Sequence, residues 1–464
     1  MSQTGSGRMR ASGCLRMSCW DRVKIWPTFA GWAQTTITPP VGISLAGFGA
    51  RKEGARGIHD HLYARTLVLE EAGQRVALAL CDLCEVDTPF VDTVRARVQQ
   101  VTGIPGSQVM VAATHTHAAP ATFVLYSAPP DPQWLDVLAD RVADVVVAAS
   151  RNIAPVTLAI GQGHEGTVAH NRRRADGPVD PTLTVLRADR PGKPPGLLVH
   201  YACHPTVLGP DNLLISRDYV GFMVDAVERA TGGWAMFANG ACGDINVGHS
   251  ADRSALGLPI PDRTFERAEA LGRRLAEEAV RALGSARPVE ARHDGRRGVL
   301  ASRTRSLRLP LRQTPSMGDS EELVRALRQQ LQGLELAAAT EGAATAARLE
   351  LMYAELAWDW VRQRGTAMEE PVEVQAFAIG DVALVALPGE FFAESGLRLR
   401  ERSPFRHTIP IGYADGGVGY VPPASAFAEG GYETRLAPWS RVAPEAEALV
   451  IGAAVDLLRE LRDG

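Results

Sequence analysis

From Thr35 onward, short apolar runs alternate with segments whose apolar residues recur at helical spacing, the pattern of strands interleaved with amphipathic helices. ARTLVLEE (64–71) and RVALALCDL (75–83), joined by Ala72-Gly73-Gln74, predict a hairpin or adjacent strands. A helix follows over Pro89–Val101, then an apolar strand, SQVMVAATHTH (107–117), that runs straight into histidines. The cycle repeats with a helix across Trp134–Arg151 and strands at VTLAIGQG (156–163), TLTVLRAD (182–189) and GLLVHYACHP (196–205). A helix over Val220–Ala230 and a strand at WAMFANGACGD (234–244) complete it. Helical spacing marks 253–285 and Glu321–Arg364, where one apolar face is expected to pack on the core. Two more strands, VEVQAFAIG (372–380) and VALVALPGE (382–390), precede a closing amphipathic helix, Pro444–Arg462. The expected fold class is α/β, with α+β character in its mixed sheets and helices, built as one large domain over residues 34–464. Residues 1–33 lack this pattern and read as a disordered extension.

Length and composition narrow the function. A chain of 464 residues with 45% apolar content can bury a large core. A net charge of -4 with interspersed signs gives no basic surface for a phosphate backbone, so nucleic acid is not an expected partner. No run of 18 apolar residues exists, so no transmembrane segment is expected. The N-terminal arginines precede no continuous apolar stretch, and the location expected is cytoplasmic. The cysteines Cys14, Cys19, Cys81, Cys84, Cys203 and Cys242 are scattered, unlike a disulfide scaffold. Cys81 and Cys84 form a CxxC, but at the end of a buried strand, where they read as packing residues.

Candidate chemistry collects at strand ends. His115-Thr116-His117 lies where an apolar strand gives way to a loop, and in an extended segment both imidazoles would face one side. His204, in Tyr201-Ala202-Cys203-His204-Pro205, ends a second strand, and Glu390 follows a third after a Pro-Gly turn. Alone, such a histidine is more often structural and such a glutamate more often a helix N-terminal acid. Together they make a His/His/Glu set, the donor number a catalytic zinc needs while keeping a position for water. The glycine-rich NGACGDINVG (239–248) lacks the GxxxxGK[ST] pattern, so its glycines suggest close backbone approach to a site, with Asp244 as a turn or supporting residue.

GIHDHLYAR (57–65), ATHTHAAP (113–120), HNRRR (170–174), HPT (204–206), NGACGD (239–244), LPGE (387–390) and GYVPPASAFAEGGYE (419–433) occur in one order from about residue 35 to the end. In these motifs the chain resembles the neutral/alkaline non-lysosomal ceramidases, over the extent of their catalytic domain. The resemblance implies a zinc-dependent amidohydrolase acting on a ceramide-like or other N-acyl small molecule. It implies zinc ligands at His115, His204, Glu390 and Tyr420. His117 and Arg172 would line the water and the substrate carbonyl, and Tyr432 would donate to the developing oxyanion. Where that family has GDVSPN this chain has GDINVG, so its serine is replaced by Asn246 and no hydroxyl nucleophile is expected there. The family's C-terminal immunoglobulin-like domain is not expected in this chain. Hydrolysis of an ester or glycosidic bond, and a non-catalytic zinc or lipid-binding module, are the competing readings.

Overall fold

The run Val76–Cys81 is apolar at every position because the strand that carries it, Gln74–Cys81, is covered on both faces. Val76, Leu78 and Leu80 enter a core between sheets. Ala77, Ala79 and Cys81 point the other way, to helix residues Val91, Val94, Val98, Leu138, Val142 and Val146. The computed structural model describes residues 28–125, 129–290, 300–337 and 340–463.

Three sheets share the inner core. The first orders Val109–Ala113, Gln74–Cys81, Tyr63–Glu71, Phe29–Thr36 and Ala154–Pro155; the second orders Trp234–Asn239, Gly196–Tyr201, Thr182–Asp189, Thr157–His164 and Arg287–Pro288. The third orders Leu300–Pro310, Glu369–Ile379, Val382–Ala386 and His407–Ile411. Leu67 and Met110, Leu186 and Met236, and Phe377 and Leu384 meet there, two from each sheet in turn. The helix Ala446–Asp463 covers the outer face of the third sheet, with Val450, Ala454 and Leu458 against Val374, Ala376 and Val385.

Each sheet contains one parallel pair, and a helix crosses between its strands as parallel pairing requires. Thr88–Thr102 links Gln74–Cys81 to Val109–Ala113; Asp218–Thr231 links Gly196–Tyr201 to Trp234–Asn239; Ala393–Arg402 links Val382–Ala386 to His407–Ile411. The carboxyl ends of these strands come together, the place where α/β folds hold ligands. Asn239 ties them: its Nδ2 donates to the Thr114 and Cys203 oxygens, both at 3.2 Å, and its own oxygen accepts from the Gly412 N–H at 3.0 Å.

Several expectations shift. Phe29–Thr36 is a strand, so ordered structure begins before residue 34, while the extension expected over 1–27 lies outside the described residues. The helical stretch 253–285 is two helices, Ala251–Ala255 and Phe265–Gly284, because Pro259 and Pro261 interrupt it. The stretch Glu321–Arg364 is a hairpin of Met317–Leu336 and Glu341–Arg364. Its first helix buries only Ser320 and Val324 among the described residues and leans on its partner rather than on the core. The strand Leu300–Pro310 escapes the apolar pattern because polar residues occupy both faces: Arg303 and Arg305 on the side of helix Ala446–Asp463, where Arg305 pairs with Glu460, and the exposed Arg308 on the other. Among the described residues no helix is long and apolar enough to cross a membrane.

Candidate active site

The strand that leads to the histidine pair stops at Ala113, so strand alternation does not bring His115 and His117 together. His115 instead takes a left-handed backbone, φ +69°, which a histidine holds only when its surroundings compel it. The constraints are visible: its N–H donates to the Leu83 oxygen at 2.9 Å, its ring stacks on Tyr413 at 3.8 Å, and its Nδ1 lies 2.6 Å from the Cys84 oxygen. His204 is held in the same manner, its Nδ1 at 2.8 Å from the Cys242 oxygen and 2.9 Å from that of Ile245. A ring nitrogen facing carbonyls must carry the proton, so both residues turn a bare Nε2 lone pair inward.

Glu390 meets these lone pairs. Its Oε2 lies 3.0 Å from His204 Nε2 and 3.5 Å from His115 Nε2, and the three side chains form a group able to hold one metal ion. Burial drives both imidazoles down to a pKa of about 3, so they are neutral at pH 7. A carboxylate oxygen facing two bare lone pairs at these distances leaves three electron-rich atoms with no proton from these three residues between them. A cation between them resolves that conflict, and two nitrogens with one oxygen suit a divalent transition metal. Cys84 forms a second possible group with His115 and His117.

A two-stranded parallel ladder delivers Glu390. Glu390–Phe391 pairs with Tyr420–Val421, Glu390 opposite Tyr420, so carboxylate and phenol stand side by side and hydrogen-bond. The turn into this ladder demands glycine: Gly389 has φ +153°, and a Cβ there would lie 2.6 Å from the Gly419 oxygen. Arg172 donates from Nη2 to Tyr420 Oη at 3.0 Å and to the Gly243 oxygen at 2.7 Å, and from Nε to Glu433 at 2.7 Å. Its guanidinium lies over the rings of Tyr420 and Tyr432, 5.7 and 5.9 Å from their centroids. Tyr432 packs on Trp439 and Tyr353 and lines a cavity of about 420 Å³ together with Arg172.

His117 joins the centre at its edge. Its Nε2 is 3.0 Å from His115 Nε2, and its buried Nδ1 has no hydrogen-bond partner among the described residues. The structure thus gathers His115, His117, Arg172, His204, Glu390, Tyr420 and Tyr432 at one place. Asn246 closes a turn instead of facing this group: its Oδ1 accepts from the Gly248 and His249 N–H groups and its Nδ2 donates to the His249 oxygen at 2.8 Å. Asp244 supports the neighbouring segments, accepting from the Ala393 N–H and from Asn171 Nδ2 at 2.8 Å each. Sequence reasoning passed over Glu433, Tyr413 and the Cys84 carbonyl. Glu433 was legible as a carboxylate beside Tyr432, but a carbonyl leaves no mark in a sequence.

A sequence profile described as "Neutral/alkaline non-lysosomal ceramidase, N-terminal" matches residues 29–247. The neutral ceramidase of Mycobacterium tuberculosis (strain ATCC 25618 / H37Rv) is 25% identical over 498 aligned positions, 90% of this chain and 76% of that protein. The neutral ceramidase of Pseudomonas aeruginosa is 26% identical over 517 positions, 96% of this chain and 74% of that one. The crystal structure of neutral ceramidase from Pseudomonas aeruginosa superposes with a TM-score of 0.71 at 23% identity, covering 95% of this chain and 75% of the other. A structure described as "Ceramidase complexed with C2" gives the same TM-score at 20% identity, over 95% of this chain and 76% of that one.

Proposed function

We propose that this chain, which belongs to the neutral/alkaline non-lysosomal ceramidase family, hydrolyses the amide bond of ceramide or a related N-acyl compound at a zinc centre held by His115, His204, Glu390 and Tyr420. The observation that carries the proposal is the meeting of two bare Nε2 lone pairs at one buried carboxylate oxygen, 3.5 and 3.0 Å away. Zinc bound there supplies Lewis acidity and lowers the pKa of water towards neutrality.

The chain's own residues supply the rest. Arg172, fixed by Glu433, and Tyr432 beside it are donors for the oxyanion of the tetrahedral intermediate, and the guanidinium is oriented before substrate arrives. His117 is neutral because burial and the neighbouring His115 hold its pKa well below the usual value, so its imidazole can accept the proton of the attacking water and return it to the leaving amine. With Asn246 engaged in its turn, no serine hydroxyl enters the reaction at that position. The presence of Arg172, Tyr432 and His117 next to the ligand set favours an enzyme over a metal-binding module, which would have no use for oxyanion donors.

The test combines metal analysis with turnover. Purified protein is expected to carry zinc and to release fatty acid from N-acylsphingosine or simpler N-acyl amides. His204→Ala is expected to lose the metal, and Tyr432→Phe to keep it while kcat falls about 100-fold, the scale of one oxyanion donor. Zinc bound with no turnover of amide substrates would sink the hydrolase reading. Full metal content in His204→Ala would sink the ligand set.

A further inference from the structure

A cavity of about 830 Å³ lies beside the site. His170 and Asn171 line it and pair with Ile245–Asn246, the strand whose Ile245 oxygen holds the His204 ring. It shares Arg172, Arg173, Arg174 and Ser250 with the smaller cavity at Tyr432, so the two form one cleft. The wall of the larger compartment carries these three arginines, Arg267 and three histidines, and among the described residues no aspartate or glutamate lines it. The carboxylates that pair with the arginines stand elsewhere. Glu433 takes Arg172 and Arg173, and Glu429 takes Arg173 and Arg174, on the Tyr432 side; a further carboxylate, the exposed Asp176, approaches Arg174 only to 4.0 Å. Arg267 has its nearest carboxylate, Asp262, 3.9 Å away, and that side chain is 78% exposed.

A ligand in the larger compartment therefore meets guanidinium groups with no carboxylate between. A neutral lipid headgroup gains little from such a wall, and an acyl chain gains nothing. Resting on the amide-hydrolase reading, we infer that the amine-side portion of the substrate carries an anionic group, a carboxylate, sulfonate or phosphate, that is received between Arg174 and Arg267. The guanidinium fork suits planar or tetrahedral oxyanions, and Arg267 is anchored for the purpose by donating to the Val247 oxygen at 2.9 Å.

The experiment compares kcat/KM of the metal-loaded full chain on N-lauroyltaurine and N-lauroylglycine with N-lauroylethanolamine and N-lauroylsphingosine, by release of laurate. The anionic amides are expected to be preferred by about tenfold or more, and the preference to shrink as salt rises. Arg267→Ala and, separately, the half-exposed Arg174→Ala are expected to bring the ratio towards one, while Arg267→Lys retains most of it. Taurine against glycine separates sulfonate from carboxylate recognition. Neutral amides cleaved as well as anionic ones, or a ratio that neither alanine variant moves, overturns this inference and leaves the hydrolase reading standing. No turnover of any of the four overturns both.

Discussion

Burial pushes the Glu433 carboxyl upward, but Arg172 and Arg173, at 2.7 and 2.9 Å, more than reverse this and hold it below the usual carboxylate range. All three side chains are at least nine-tenths buried, so removing this anion strands the Arg172 charge and leaves Arg173 with the more exposed Glu429 at 3.4 Å. Glu433→Gln is expected to lower stability by about 3 kcal/mol in denaturant unfolding, the cost of breaking a buried pair from one side. It is also expected to reduce kcat more than it changes metal content, because Arg172 loses the anchor that aims it at Tyr420. A variant as stable and as active as the parent would show that Glu433 is not the anchor. His115 makes a similar point about single residues. Its identity was readable from the chain, but its left-handed backbone was not, since that conformation comes from the Leu83 oxygen and the Tyr413 ring rather than from its neighbours in sequence.

At the scale of elements, the smallest one has the largest consequence. The ladder of Glu390–Phe391 with Tyr420–Val421 is two residues long, yet it sets Glu390 beside Tyr420 and, through Tyr420, beside Arg172. It depends on Gly389, where a side chain would collide with the Gly419 backbone. Gly389→Ala is expected to cost about 3 kcal/mol, from left-handed strain together with the backbone clash, and to weaken zinc retention against a chelator. Unchanged melting and unchanged chelator resistance would contradict this. The main strands were legible because each buries two faces and so shows unbroken apolar runs. The strand Leu300–Pro310 and the division of one helical stretch into Met317–Leu336 and Glu341–Arg364 were not, since arginines on both faces mask the first and no proline marks the second.

Over the whole molecule, two sets of buried groups pull stability in opposite directions with pH. Burial drives His115, His204 and His249 to about 3 and His200 to about 4, so protons bind these imidazoles in the unfolded chain first and stability drops as pH falls below 6.5. Burial raises Asp218, Asp244 and Asp415 to about 6, and groups raised in this way lose their contribution as pH rises through the folded value. Between about 4 and 6.5 the two sets oppose each other. Above that, Glu85, pushed to about 8 by burial and by Glu390, still holds a proton that the unfolded chain has released. Chelator-treated protein is therefore expected to lose stability from pH 6.5 to 8, read as a falling urea midpoint, and Glu85→Gln to flatten that slope. An equal slope in both proteins would assign the loss to another group. By itself the sequence determined most of the doubly buried strands and amphipathic helices and which strand ends carry histidine, glutamate and glycine, because periodicity and turn chemistry act between near neighbours. Only the tertiary structure decided that Cys84 and Cys242 carbonyls orient the imidazoles, that Glu433 anchors Arg172 across 261 positions, and that the arginines wall a compartment free of carboxylates. Those relations arise where three sheets pack against one another, and distance along the chain carries no record of which loops that packing brings together.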